Sequence, residues 1–106
     1  MNIQYKKGVL ELCVLTLLTR RDHYGYELVE TISKSIEISE GTIYPLLRRL
    51  SDAHLVETYL QESNVGPPRK YYRLTKKGEK SQQQQHQQWT AFSQSMKTFL
   101  QGDDHD

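Results

Sequence analysis

Between Leu50 and Val56 the spacing of apolar residues changes from the three-and-four step of a helix to an alternation of period two, and beyond Thr75 it changes back. A chain patterned in this way makes helices, then a hairpin, then a further helix. Residues 9–18 (VLELCVLTLL) are apolar at eight of ten positions, too many for a solvent-facing helix, and predict one buried nearly all round. It should stop at Arg20, Arg21 and Asp22, where cations suit the negative end of a helix and Asp22 can cap the next. The spacing of Leu28, Val29, Ile32 and Ile36 predicts an amphipathic second helix over 24–36, its start loosened by Gly25. A third helix buries Ile43, Leu46, Leu47 and Leu50, with Ser39 or Thr42 as its N-cap. Pro45 costs least if Thr42 is the cap, because it then stands third in the helix, among donors that have no intrahelical partner; with Ser39 a kink is expected.

In the alternating stretch Val56, Thr58 and Leu60 interleave with Glu57, Tyr59 and Gln61, and after a break Tyr72 and Leu74 interleave with Tyr71 and Arg73. These are two strands of a hairpin. Its tip, 63–68 (SNVGPP), is too long for a two-residue turn and holds two prolines that remove ladder donors, so it should project and be mobile. Thr75 can cap a last helix that runs through the glutamines at 82–85 and 87–88 towards Leu100. Trp89, Phe92, Met96 and Phe99 follow one another at steps of 3, 4 and 3, a narrow heptad seam that suits a partner helix. The closing GDDHD is acidic and predicts a frayed tail. The expected fold is mainly α with a small β-hairpin: a winged helix-turn-helix over 1–75, a long C-terminal dimerisation helix over 76–101, and a disordered tail over 102–106.

A formal net charge of +1 argues against a strongly basic nucleic-acid binder only if the charges are evenly spread. They are not. Residues 69–80 carry Arg69, Lys70, Arg73, Lys76, Lys77 and Lys80 against Glu79 alone, whereas 27–62 carry seven acids against Lys34, Arg48 and Arg49. A hairpin that gathers the basic cluster on one side attracts phosphate, and Tyr71 and Tyr72 among the cations favour nucleic acid over a merely solvated face. One core in 106 residues is marginally stable, so an oligomer is expected. Cys13 is the only cysteine, which excludes an internal disulfide or a cysteine-built zinc site and fits a reducing cytoplasm. The run 9–18 serves neither as a secretory signal nor as a membrane span. The histidines at 23, 54, 86 and 105 have no metal-ligand spacing, Asp103, Asp104, His105 and Asp106 read as a tail, and no nucleophile stands with a base. Neither metal, cofactor nor catalysis is expected.

Three strings, GYEL at 25–28, GTIYPLLRRL at 41–50 and GPPRKYYRLTKKG at 66–78, closely resemble the PadR family of transcriptional regulators. The resemblance implies a cytoplasmic homodimer that binds a pseudo-palindromic operator in double-stranded DNA, as a repressor released by a small molecule. Its dimer contacts would come from the C-terminal helix, helped by the N-terminal one. The recognition helix is then the one beginning near Thr42, with Thr42, Tyr44, Pro45, Arg48 and Arg49 outward. Tyr44 and Arg48, at i and i+4, share a face and can reach base edges. Tyr24 and Tyr26 at the start of the second helix would hold the DNA backbone, Arg69 and Lys70 would follow the flanking minor groove, and Tyr72 would add a phosphate contact. Rival readings remain for three of these: Tyr44 as a helix-packing ring, Tyr26 as a core residue, and Arg49 as a partner of Asp52 or Glu40.

The family pattern is broken twice. His54 stands where glycine is usual after the third helix, so a histidine would have to adopt the left-handed cap. The seam of the last helix, extended backwards, meets Gln85 and Gln82 rather than leucine or alanine; they either weaken the upper dimer contact or form a solvated helix face. Trp89, on the seam, is either an interface anchor or part of a pore between two chains that stacks a planar aromatic effector. The rival to DNA binding is a winged-helix protein-interaction module whose basic wing meets an acidic partner.

Overall fold

Every residue of the apolar run 9–18 is buried or half-buried, and the rest of the fold is arranged about it. The computed structural model describes residues 3–102, with side chains from Gly8 onward; the expectation for the tail at 103–106 lies outside the described residues. In chain order the elements are α1 (Ile3–Arg20), β1 (His23–Tyr24), α2 (Gly25–Ser33), α3 (Glu40–Asp52), β2 (Val56–Ser63), β3 (Gly66–Leu74) and α4 (Lys76–Gln101). This is a winged helix-turn-helix followed by a long C-terminal helix. The core joins Leu10, Val14, Leu15 and Leu18 of α1 to Leu28, Val29 and Ile32 of α2, to Ile43, Leu46, Leu47 and Leu50 of α3, and to Val56 and Tyr72 of the sheet. Truncating a fully buried member such as Leu15 or Leu47 to alanine should cost about 2–5 kcal/mol.

Helix α2 begins after Tyr24, whose backbone N–H donates to the Glu27 carboxylate at 3.1 Å, so Asp22 is not the cap. Asp22 instead accepts a hydrogen bond from the Tyr59 hydroxyl at 2.6 Å. The helix also ends at Ser33, three residues short of Ile36, which still packs against the core from the turn. Helix α3 starts after Ser39, not Thr42, and runs on through Pro45. The carbonyl that loses its helical donor belongs to Gly41, an exposed residue where water can replace it. At the other end His54 does take the left-handed conformation, at φ 62°. Its N–H donates to the Ser51 carbonyl and that of Leu55 to the Leu50 carbonyl, both at 3.0 Å, which closes a Schellman cap.

The sheet has three strands in the order β1-β3-β2, one more than the hairpin alone. His23 and Tyr24 pair with Tyr72 and Tyr71, too short a match for a periodicity to reveal. The hairpin is longer than its alternation suggests, because β3 runs through both prolines and leaves only Asn64 and Val65 at the turn. Gln61 pairs with Arg69 and Ser63 with Gly66, so Pro67 and Pro68 together oppose Glu62 in a bulge. Beyond the short β1 the outer side of β3 has no neighbouring strand among the described residues, and there a missing N–H costs little.

Helix α4 is rooted rather than buried. The Thr75 hydroxyl accepts from the Gly78 N–H at 3.0 Å and donates towards the His54 and Leu55 carbonyls at 2.7 and 3.0 Å, while Lys77 Nζ donates to the Ala53 carbonyl at 2.9 Å. Gly78 is the buried residue among those described in α4, and a Cβ there would overlap the Leu55 carbonyl oxygen. From His86 to Gly102 every residue is exposed, and Gly102 ends the helix at φ 71°. No helix among the described residues is long and apolar enough to cross a membrane.

Candidate nucleic-acid interface

A cleft of about 340 Å³ separates the outer face of α3 from the inner face of the wing. Tyr44, Leu47, Arg48, Ser51 and Asp52 line it from the helix, and Thr58, Lys70 and Tyr72 from the strands. The helical period places Tyr44 and Arg48 one turn apart on α3, and the pleat places Lys70 and Tyr72 two residues apart on β3, so the two elements converge on one opening. Arg48 and Lys70 are exposed, and neither forms an ion pair with an acidic side chain among the described residues. Lys70 Nζ lies 5.9 Å from the centroid of the Tyr72 ring. Burial pushes the Tyr72 hydroxyl above its usual pKa, as does nearby Tyr44, while the Arg48 guanidinium opposes the shift. Burial and the Glu40 carboxylate likewise raise Tyr44. Both phenols are therefore neutral near pH 7 and keep a proton to donate.

Tyr44 is exposed along one edge, yet it also packs: a Cβ on Gly25 would come within 2.6 Å of its Cε1 and 3.1 Å of its hydroxyl. The ring therefore bridges α2 and α3 and still lines the cleft, so its packing role does not remove it from the opening. Tyr26 is 51% exposed and is not a core residue. Thr42 and Pro45 lie on the exposed side of α3, with Thr42 Oγ1 3.4 Å from Ser39 Oγ.

Four of the expected contact residues lie outside this opening or are held otherwise. Tyr72 is only 7% exposed and belongs to the core, a base for Lys70 more than a phosphate ligand. Arg49 is held by neither Asp52 nor Glu40; its Nη1 donates to Glu11 Oε1 of α1 at 2.9 Å. Arg69 and Tyr24 lie on the opposite face of the wing from Lys70, because adjacent residues of a strand point opposite ways. There the rings of Tyr24, Tyr71 and Tyr59 form a row, with centroids 5.5 and 5.6 Å apart. Arg69 lies over Tyr24 at 4.6 Å and Arg73 over Tyr59 at 5.0 Å, and Arg73 also pairs with Glu57 at 3.1 Å. The basic cluster is thus divided, with Lys70 towards α3 and Arg69 and Arg73 towards the aromatic row. Thr58, Ser51 and Asp52 also line the cleft, though none was an expected contact with DNA; the alternation that groups Thr58 with Val56 was the signal for the first.

Among the described residues no group of three or more histidine, cysteine, aspartate or glutamate side chains is placed to hold a metal. The sequence profile of the Transcriptional regulator PadR-like family matches residues 14–84, a span that contains α2, α3, the whole wing and the root of α4. The chain belongs to the PadR-like family. A PadR-like transcriptional regulator from Bacillus cereus is 41% identical, with 92% of this chain and 97% of that one aligned at a TM-score of 0.84. The smu.1704 protein of Streptococcus mutans is 34% identical over 94% of both chains, at a TM-score of 0.87. An uncharacterized protein X from Lysinibacillus sphaericus is 31% identical over 91% of this chain and 92% of its own length. The PadR-like profile includes the cleft residues of α3 and β3 and ends before Trp89.

Proposed function

We propose that this PadR-like protein is a sequence-specific repressor that binds a pseudo-palindromic operator in double-stranded DNA as a homodimer in the cytoplasm. The observation that carries the reading is the convergence of Tyr44 and Arg48 on α3 with Lys70 on β3 around one cleft. A helix in the major groove would present Tyr44 and Arg48 to base edges, with Thr42 and Pro45 at its entry, while Lys70 meets a phosphate beside it. Tyr26 and the Arg69–Tyr24 pair would meet the backbone farther out. Residues 1–75 then read DNA and 76–101 join the two chains.

The dimer reading is supported by the seam: Trp89, Phe92, Met96 and Phe99 are 46, 51, 37 and 70% exposed, an apolar stripe that a second copy would cover. Two copies would set their recognition helices about 34 Å apart, one turn of DNA. Trp89 and Phe92, with ring centroids 6.3 Å apart, would flank their mates across the two-fold axis, a place where a planar aromatic effector could stack and release the DNA.

A gel shift with the DNA upstream of the protein's own gene tests the reading. A retarded band that resists random competitor at moderate salt is expected. Equal displacement by any duplex, or no band, would overturn it in favour of a protein-interaction module.

A further inference from the structure

The row Gln82, Gln85, Trp89, Phe92, Met96, Phe99 is one stripe along α4, and it changes character midway. Its apolar part is exposed, whereas its two glutamines face α1: Gln82 Nε2 donates to Thr16 Oγ1 at 3.1 Å and Gln85 Nε2 donates to Glu11 Oε2 at 2.8 Å. Gln82 and Gln85 are therefore not a bare solvated face. Gln85 is itself held by Ser81 Oγ at 2.9 Å, and the other oxygen of Glu11 accepts from Arg49 of α3 at 2.9 Å. The Glu11 side chain is 18% exposed, so both bonds are charge-assisted in a partly dry setting. One carboxylate on α1 thus ties the recognition helix on one side to the long helix on the other.

We infer that Glu11, Gln85 and Arg49 are positioning residues that fix the angle between the recognition helix and α4, and through it the half-site spacing that the dimer accepts. This rests on the proposed reading of α4 as the dimer arm of a DNA-binding protein. Gln85 is the last described residue of α4 that is not exposed, so among the described residues it is the outermost point at which the helix meets its own body. Beyond it α4 continues for sixteen residues to Gln101, a lever of about 24 Å at 1.5 Å per residue. A tilt of about 10° at the anchor would move the far end by about 4 Å, and the two-fold axis would double the error between recognition helices. An apolar residue at 85 would still pack on α1 but could slide; a bidentate carboxylate with an amide and a guanidinium cannot.

The test uses the full chain in a Cys13→Ser background, with spin labels at Glu40→Cys on α3 and Gln94→Cys on α4, diluted into unlabelled protein so that intrachain distances are read. A single narrow distribution is expected for the parent and a broad or displaced one for Gln85→Glu, which sets two carboxylates against each other. The exchanged pair Glu11→Gln with Gln85→Glu restores an amide-carboxylate bond across the same helices and should restore the narrow distribution. Alongside, binding is measured on duplexes whose half-sites are moved together or apart one base pair at a time. Gln85→Glu should lose at least threefold of the preference for the best spacing, and the exchanged pair should recover it. An unchanged distance distribution in Gln85→Glu, or a broadened one with unchanged spacing preference, would overturn the inference. If the parent binds no duplex of the series, the DNA reading fails on its own account, while the distances still decide whether the anchor sets the angle.

Discussion

The ring of Tyr44 lies against the backbone of Gly25, so close that a methyl group on residue 25 would stand 2.6 Å from Tyr44 Cε1. Helix α3 thus leans on the one position of α2 that has no side chain. In Gly25→Ala the obstacle is the end of an exposed ring that can swing away, so stability should change by less than about 1 kcal/mol. The aim of Tyr44 should change more. Urea unfolding is expected to be near normal while the preference for operator over random DNA falls several-fold.

Gly78→Ala should behave oppositely. The clash there is with the carbonyl of Leu55, which is backbone and cannot move without disturbing the end of α3. A loss of about 1–3 kcal/mol is expected in urea unfolding, as for other overpacked sites.

Arg48 and Lys70 share the cleft but have different tasks. Arg48→Ala should cost about 1–3 kcal/mol on the operator and far less on random DNA, as expected for a base contact. Lys70→Ala should weaken both alike and reduce the slope of log K against log salt by about one. Anisotropy titrations at several salt concentrations separate the two; equal losses for Arg48→Ala on both DNAs would make it a phosphate contact.

His23 is buried at the base of the wing, its Nδ1 donating to the Arg21 carbonyl at 2.9 Å. Burial, and then the Arg21 guanidinium, hold its pKa below the usual imidazole value. As the pH falls the unfolded chain takes up this proton first, so stability is complete above the ordinary imidazole pKa and declines as the pH drops through it towards the folded value. The melting temperature should therefore fall between about pH 7.5 and about pH 5. In His23→Asn, whose amide can reach the same carbonyl, that part of the slope should vanish.

Phe92→Asp should separate the chains without unfolding them, because α4 is secured at its root by Thr75, Lys77 and Gly78, far from the seam. Sedimentation is expected to give a dimer for the parent and a monomer for the variant with unchanged helical circular dichroism. Planar dyes should quench Trp89 fluorescence in the parent and lose that effect in the variant.

The hydrophobic periods determined much of this protein by themselves. The burial of Ile43, Leu46, Leu47 and Leu50 and the Thr75 cap follow from local spacing, because a helix or strand repeats its contacts at fixed intervals, whereas the left-handed His54 followed from the family resemblance. The site was legible to the same extent: Tyr44 and Arg48 lie one turn apart, as their numbers require. Sequence could not decide which cations share a space. The pleat sets Lys70 and Arg69 on opposite faces of β3, but that Arg69 meets Tyr24 depends on β1, which pairs with β3 at only two positions, 49 and 47 residues apart in sequence, too few to leave a pattern. Arg49 found Glu11 rather than a neighbour for the same reason. Its partner is set by how α1 packs across α3, a long-range outcome in which many apolar contacts place two polar groups within reach. The glutamines show the limit most clearly: along the chain they are polar residues on a helix, and only the packed α1 gives Gln82 and Gln85 something to hold.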